Sequence, residues 1–126
     1  MNVVIKGLLM KSLAKLSRRP QAKVFLEKLE GFVLDIGAGG EGTIAKTCGK
    51  EIVCVDISKT EIGEAKSRGA VANWVLCDAR SMPFRNGTFD VATFFFSLMY
   101  IKTVEKKHAV MVEAKRVLKS DGLLYL

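Results

Sequence analysis

The chain of 126 residues lacks long apolar runs and the residue patterns that usually bind metals. No stretch of 18 consecutive apolar residues occurs, so no membrane-spanning helix is expected. The three cysteines, Cys48, Cys54 and Cys77, do not have metal-ligand spacing, and their apolar surroundings favour reduced, buried thiols. The single histidine, His108, falls on a late helix and is interpreted as a surface residue. A Walker loop is also absent, so the sequence favours neither a zinc site nor a P-loop enzyme.

The charge of the chain is positive and unevenly distributed. The formal net charge is +7 at pH 7, and residues 1–30 carry seven basic and two acidic side chains, an excess of five. The basic side chains are those of Lys6, Lys11, Lys15, Arg18, Arg19, Lys23 and Lys28. Because lysines interrupt any signal-peptide core, the chain is predicted to be cytoplasmic. The patch can attract nucleic acid, an anionic membrane or an acidic partner, but a solvated helix face has the same pattern.

Two regions are predicted along the chain. Residues 1–30 form a basic helical segment, with an amphipathic helix that Pro20 ends and a second helical piece over about 21–30. The apolar positions of the first helix are Ile5, Leu8, Leu9, Leu13 and Leu16. Residues 31–126 form the second region, in which short apolar strands alternate with helices.

The alternation predicts an α/β fold, Rossmann-like and doubly wound, with helices on both faces of a mainly parallel sheet of about five strands. The predicted strands are Phe32–Ile36, Ile52–Val55, Trp74–Cys77, Phe89–Phe96 and Leu123–Leu126. Helices are predicted over about 42–48 and 103–119, and a third one opens with the capping box from Ser58 to Glu61. Asp121-Gly122 is expected to stop the last helix.

A glycine cluster follows the first of these strands. Residues 33–42 read Val-Leu-Asp-Ile-Gly-Ala-Gly-Gly-Glu-Gly, and acids close the next two strands at Asp56 and Asp78. A glycine-rich turn lets the backbone approach a ligand that a β-carbon would block. Taken alone, the glycines fit G-x-G-x-x-G and Asp56 fits the ribose acid of a nicotinamide enzyme. That pattern does not explain Asp35 or Asp78.

Five segments in this order resemble motifs of the class I S-adenosylmethionine-dependent methyltransferases, and the likeness is best to the branch that acts on small molecules. They are Val33–Gly39, Val55–Ser58, Cys77–Phe84, Phe89–Ile101 and Glu113–Gly122. The resemblance covers about residues 32–126. It implies that the cofactor is S-adenosylmethionine and that the protein is a methyltransferase.

The resemblance also implies the residues that bind the methionine part and the ribose. Gly37, Ala38 and Gly39 pass close under the methionine part, and Asp35 helps to orient this loop and the cofactor's ammonium group. Asp56 accepts hydrogen bonds from the two ribose hydroxyls. A tight turn without a ligand and a loop-bracing acid are the structural alternatives for the glycines and for Asp35.

The adenine and the sulfonium side are assigned in the same way. Ile57 packs on an adenine face, Asp78 accepts from the adenine amino group, and the amide of Ala79 reaches a ring nitrogen. The backbone around Phe94 borders the methionine end. Plain core packing is the alternative for Ile57, and an Asx-type turn before Pro83 is the alternative for Asp78.

The sequence departs from the family pattern at two places. Glu41 stands where a third glycine is common, which indicates a longer loop or a carboxylate near the cofactor's positive end. The family sheet has seven strands and five are predicted here, so the region 31–126 is interpreted as a C-terminally incomplete domain of a longer parent. An unusually short domain that pairs with another chain is the alternative. An exposed strand edge at Leu123–Leu126 would permit a homodimer.

The predicted function is methyl transfer to an unidentified, small-molecule acceptor, with no catalytic residue assigned and no metal. Nucleic acid is a possible partner without a supporting motif, since neither an Asn/Asp-Pro-Pro-aromatic segment nor a Pro-Cys nucleophile occurs. Two alternatives stay open. The first is a non-catalytic module that binds S-adenosylmethionine or a partner, and the second is an NAD(P)-dependent oxidoreductase.

Overall fold

The structure is a computed structural model that describes residues 2–4, 29–48, 51–95 and 97–126. The helices predicted before residue 29 lie outside the described residues. The strands are β1 Asn2–Val4, β2 Val33–Ile36, β3 Val53–Asp56, β4 Asn73–Leu76, β5 Phe89–Thr93 and β6 Leu118–Tyr125. The helices are α1 Thr43–Thr47, α2 Lys59–Ser67 and α3 Val104–Val117, and a short 3₁₀ helix spans Leu98–Tyr100.

The six strands form one parallel sheet in the order β1-β6-β5-β2-β3-β4. The chain runs outward from β2 to β3 and β4, then crosses back to place β5 on the other side of β2. The order therefore reverses between β2 and β5. In open α/β sheets, ligands bind outside the carboxyl ends of the strands at such a reversal. The predicted doubly wound fold is confirmed, with six strands where about five were expected.

Side chains of β2 alternate between two hydrophobic layers, as the period of a strand requires. Val33 packs in a layer with Ile44 of α1 and Ala65 of α2, whereas Leu34 packs on the opposite face with Ala114 of α3. Each layer removes apolar surface from water, at about 25 cal/mol per Å² buried. The helices thus cover both faces of the sheet. Within the described part of the chain, no helix has the length and apolar character needed to cross a bilayer.

The capping box predicted at the start of α2 is present. Ser58 is the N-cap, and its Oγ accepts a hydrogen bond from the N–H of Glu61 at 3.2 Å. This bond satisfies one of the backbone donors that a helix leaves free at its first turn. It also fixes the direction in which the chain leaves β3.

Three predicted element ends are wrong. β6 begins at Leu118 rather than Leu123. β5 ends at Thr93 rather than Phe96, although the N–H of Phe94 still donates to Tyr125 O at 2.9 Å. α3 ends at Val117, before Asp121-Gly122, which lies within β6. The register shifts there, because one residue of β5 faces a span of four in β6, residues 119–122. The turn-forming residues loop out of the ladder instead of capping the helix.

The edge of β6 that was expected to be open is paired with β1. Asn2, Val3 and Val4 are in parallel register with Leu123, Leu124 and Tyr125. A homodimer through this edge would have to displace β1, and dimerisation stays a prediction.

Candidate cofactor-binding site

The glycine-rich loop is held against the end of β3 by its own backbone. The N–H groups of Gly37 and Ala38 both donate to Val55 O, at 2.9 and 3.1 Å. Gly37 has a φ of +68°, and a β-carbon there would collide with the Ser97 hydroxyl. Ser97 Oγ in turn donates to Ile36 O at 3.2 Å. Only glycine combines this conformation with this close approach.

Asp56 is the acid at the carboxyl end of β3, and its carboxylate is fixed by two backbone amides. Oδ2 accepts from the N–H of Gly39 at 3.0 Å, and Oδ1 accepts from the N–H of Ser58 at 2.9 Å. A carboxylate has about four acceptor positions, so capacity is left for the two hydroxyls of a ribose. A β-carbon on Gly39 would lie 2.8 Å from Asp56 Oδ2, which explains why the loop needs glycine beside the acid.

Asp35 lies in β2 directly before the glycine loop, and only 5% of its surface is exposed. Thr93 Oγ1 of the neighbouring strand donates to Asp35 Oδ1 at 2.8 Å. Burial raises the pKa of Asp35 to about 7; the Thr93 bond opposes this rise and the charge of Asp56 adds to it. The carboxyl is therefore poised to change its charge near neutral pH.

The adenine side is built from the ends of β3 and β4. Ile57 is 69% exposed although it is apolar, which leaves its side chain available to a ligand. The N–H of Cys77 donates to Asp56 O at 3.0 Å and so brings the segment that carries Asp78 and Ala79 beside Asp56. Ala79 is partly buried against the layer that α3 covers.

Asp78 makes an Asx-type turn together with a side-chain pair. Its Oδ1 accepts from the N–H of Arg80 at 2.9 Å, and Arg80 Nη2 donates to Oδ2 at 2.6 Å. Hydrogen bonds from Arg80 hold the pKa of Asp78 below its usual range, so the group is an acceptor at neutral pH. The Asx-type turn, which was the structural alternative for Asp78, is thus present. An adenine amino group would have to share the Asp78 carboxylate with Arg80.

The loop after β4 is anchored to α3 by one guanidinium. Arg116 donates to Met82 O at 3.0 Å, to Phe84 O at 2.8 Å and to Asn86 Oδ1 at 2.8 Å. It also donates to both oxygens of Glu113, at 2.7 and 2.8 Å, and Glu113 accepts from the N–H of Met82 at 2.7 Å. These bonds fix the loop that begins at the predicted adenine contacts.

Three other predicted positions have clear locations. Phe94 follows β5, and its N–H donates to Tyr125 O. Its side chain is buried in the hydrophobic layer that α3 covers. The carboxylate of Glu41 is paired with Arg68 at the surface, so it is held by α2 rather than left free for a cofactor. His108 is exposed, as predicted.

All three cysteines lie among the described residues and are reduced thiols. Cys48 and Cys54 are buried, whereas Cys77 is half-buried. Burial raises the pKa values of Cys54 and Cys77, which keeps both groups as neutral thiols at physiological pH.

The sequence reasoning missed Thr93 and Ser97. Asp35 and Thr93 are the two buried polar side chains among the described residues. A hydroxyl in the apolar run of β5 was the signal for Thr93, since a buried polar group needs a partner. Ser97 has no comparable signal, because its contacts with Ile36 O and Gly37 depend on how the chain turns after β5.

Comparison with known proteins gives a consistent result. Residues 34–126 match the family model described as "Methyltransferase domain". The chain is 35% identical over 99 residues to the ubiquinone/menaquinone biosynthesis C-methyltransferase UbiE of Desulfotalea psychrophila, covering 73% of this chain and 39% of that protein. A relative of the same description from Paraburkholderia phymatum is 35% identical over 102 residues. The chain thus spans about two fifths of the length of the curated relatives that it matches.

Solved structures share the same fold. The PH0226 protein of Pyrococcus horikoshii superposes with a TM-score of 0.71 at 30% identity, over 88% of this chain and 52% of that one. The YcgJ protein of Bacillus subtilis superposes with a TM-score of 0.67 at 30% identity, over 90% of this chain and 49% of that one. The family-model match over residues 34–126 includes every predicted contact residue from Asp35 to Phe94.

Proposed function

The chain belongs to the class I S-adenosylmethionine-dependent methyltransferase family, and from this premise we propose that it binds the methyl donor across the glycine loop and transfers the methyl group to a small molecule. The observation that carries the proposal is the Asp56 carboxylate, held between the N–H groups of Gly39 and Ser58. An acceptor-only group at a strand end, beside a loop that excludes side chains, fits a ribose with its two hydroxyls.

Each part of the donor has a matching group in this proposal. Asp56 takes the ribose, Ile57 and the Asp78–Ala79 segment take the adenine, and the loop from Gly37 takes the methionine part. The donor supplies a methyl group that its sulfonium already makes electrophilic. The residues act by holding donor and acceptor in line, which is an effect of proximity and orientation.

The acceptor is proposed from the relatives and from the surface next to the site. The curated relatives are described as C-methyltransferases of ubiquinone/menaquinone biosynthesis, so a carbon nucleophile on a small aromatic molecule is the first class to test. Met99 and Tyr100 follow β5 on the 3₁₀ helix and are 58% and 77% exposed. An exposed apolar pair at the carboxyl edge of the sheet suits such an acceptor.

The binding half of the proposal is tested by calorimetric titration with S-adenosylhomocysteine. Asp56→Ala removes two charge-assisted ribose bonds, each worth about 1.5–3 kcal/mol, so affinity should fall at least roughly tenfold if one bond contributes and more than a hundredfold if both do. Glu64→Ala removes one negative charge from the exposed face of α2 and serves as the control, with affinity close to that of the unaltered chain. Equal affinity for Asp56→Ala and the control would contradict the proposal.

The transfer half is tested with donor labelled in the methyl group. Label should enter small phenolic or quinol acceptors, and RNA and protein acceptors should stay unlabelled. Donor binding with no transfer to any acceptor class would favour the non-catalytic binding module. Tight binding of NAD instead of the adenosyl compounds would favour the nicotinamide alternative. Cytoplasmic location and nucleic-acid binding stay predictions.

A further inference from the structure

A row of four residues crosses the sheet directly below the glycine loop. Cys54 of β3, Asp35 of β2, Thr93 of β5 and Tyr125 of β6 are register partners in sequence across the strands. Within this row, Thr93 is fully buried and its hydroxyl lies 2.8 Å from Asp35 Oδ1. The bond joins two strands at the point where the strand order of the sheet reverses.

The groups around Asp35 determine how much the Thr93 hydroxyl matters for the ionisation of this acid. Cys54 and Asp56 are the titratable groups that face Asp35 from β3, and Tyr125 lies one strand beyond Thr93. Neutral Cys54 offers no positive charge, and Asp56 repels a second carboxylate. The helices over this face contribute the apolar side chains of Ile44, Ala45 and Ala65. The Thr93 hydroxyl is therefore the group seen to favour the ionised form of Asp35.

We propose that Thr93 is a positioning residue for the methyl donor: its hydroxyl holds the Asp35 carboxylate in the orientation and charge state that receive the donor's ammonium group. This inference rests on the proposed function. A hydrogen bond to the charged form of an acid favours ionisation, and a second acceptor position on the carboxylate stays free for the ligand. A valine at position 93 would keep the shape of the side chain and remove this donor.

The proposal makes donor affinity depend on pH in a defined direction. Burial raises the pKa of Asp35 to about 7, so near neutral pH the acid is about half protonated. An ammonium group binds the ionised form, so affinity should rise as the pH rises toward 7 and level off above it. Binding at pH 6.5 should release a proton, which titrations in buffers of different ionisation enthalpy would measure.

The test compares Thr93→Val with Thr93→Ser, using two ligands that differ only at the amino-acid end. S-adenosylhomocysteine carries the ammonium group, whereas 5′-methylthioadenosine has the nucleoside without it. Loss of the hydroxyl should raise the pKa of Asp35 by about one pH unit or more, which lowers the ionised fraction at pH 7 and the affinity for S-adenosylhomocysteine roughly fivefold or more. Methylthioadenosine should bind both variants with the affinity of the unaltered chain. Thr93→Ser should restore the affinity for S-adenosylhomocysteine.

A carbon-13 titration of the Asp35 carboxyl, without ligand, gives an independent readout. Its midpoint should move to higher pH in Thr93→Val and stay in place in Thr93→Ser. Thr93→Cys retains a weak donor and a similar volume, so it should give an intermediate midpoint and provides a second variant if valine prevents folding.

The outcomes separate the two proposals. Equal weakening of both ligands by Thr93→Val, or an unmoved Asp35 midpoint, would overturn the role of Thr93 and leave the proposed function intact. Failure of both ligands to bind the unaltered chain would refute the proposed function, and the positioning role with it.

Discussion

Arg116 provides the sharpest test of how the structure holds the loop after β4. Its guanidinium donates five hydrogen bonds, to Glu113, Met82, Phe84 and Asn86. Arg116→Met keeps the aliphatic stem on the helix and removes every donor. Two backbone carbonyls and the Asn86 side-chain oxygen then lose the Arg116 donor, and the Glu113 carboxylate keeps the bond from the N–H of Met82 but loses both bonds from Arg116. Leaving acceptors unpaired is the costly way to break a network.

The expected loss is about 2–4 kcal/mol of unfolding free energy, since bonds in one network do not add and about a third of the side chain is exposed. Urea unfolding followed by circular dichroism measures it. Lys115→Met is the matched control, because Lys115 is the exposed neighbour on α3 and loses the same charge. Its effect should stay within about 0.5 kcal/mol.

The pH dependence of this difference follows from Glu113. Hydrogen bonds from Arg116 hold the pKa of Glu113 below its ordinary value of 4.5. A carboxyl with a depressed pKa in the folded state contributes stability that is fully present above its unfolded pKa and lost as the pH falls through the folded pKa. The difference between Arg116→Met and the unaltered chain should therefore be largest above pH 5 and shrink in acid. Equal losses of unfolding free energy in Arg116→Met and Lys115→Met, or a difference that grows in acid, would show that the Arg116 bonds do not hold this loop.

Three further predictions concern the glycine loop and its acids. Gly37→Ala should lower the thermal midpoint clearly more than Gly69→Ala. Both glycines have a positive φ, which costs another residue about 1–2 kcal/mol, but only the β-carbon at position 37 would meet another group, the Ser97 hydroxyl. Equal shifts by scanning calorimetry would contradict this. The unfolding free energy should fall as the pH rises from about 4 to 7, because the unfolded acid ionises near 3.8 while the buried Asp35 stays protonated to about 7. Asp35→Asn should flatten this fall in urea unfolding. The same dependence on pH in Asp35→Asn and the unaltered chain would contradict the effect of burial on this acid. Glu41→Gln should change stability by less than about 0.5 kcal/mol, because its ion pairs with Arg68 and Lys46 are exposed; a larger loss in thermal unfolding would show that the pair braces the loop.

The features that the sequence predicted well are local ones. The alternation of apolar strands with helices gave the α/β fold, and the Ser58 capping box appears with its hydrogen bond to Glu61. The acid after a fully apolar strand correctly placed Asp56 at the sheet edge next to the glycines. Each of these patterns depends on residues a few positions apart, where backbone geometry decides the outcome.

The features that it missed depend on distant pairing. The bond from Thr93 to Asp35 joins residues 58 positions apart, and the strand Asn2–Val4 is defined by its pairing with the far end of the chain. A strand of three residues has too little periodicity to be separated from the amphipathic pattern that follows it. Asp121-Gly122 has the composition of a helix stop, but the helix ends earlier because Leu118 is already paired with Phe89 in the sheet.

The proposed function requires that this chain bind an adenosyl methyl donor at the carboxyl ends of β2 and β3. The most direct measurement is a calorimetric titration of the chain with S-adenosylmethionine, S-adenosylhomocysteine and NAD under the same conditions. We expect one site with micromolar affinity for the two adenosyl compounds and no measurable heat with NAD. Binding of NAD alone, or of none of the three by the folded chain, would show that the chain does not bind an adenosyl methyl donor at this site.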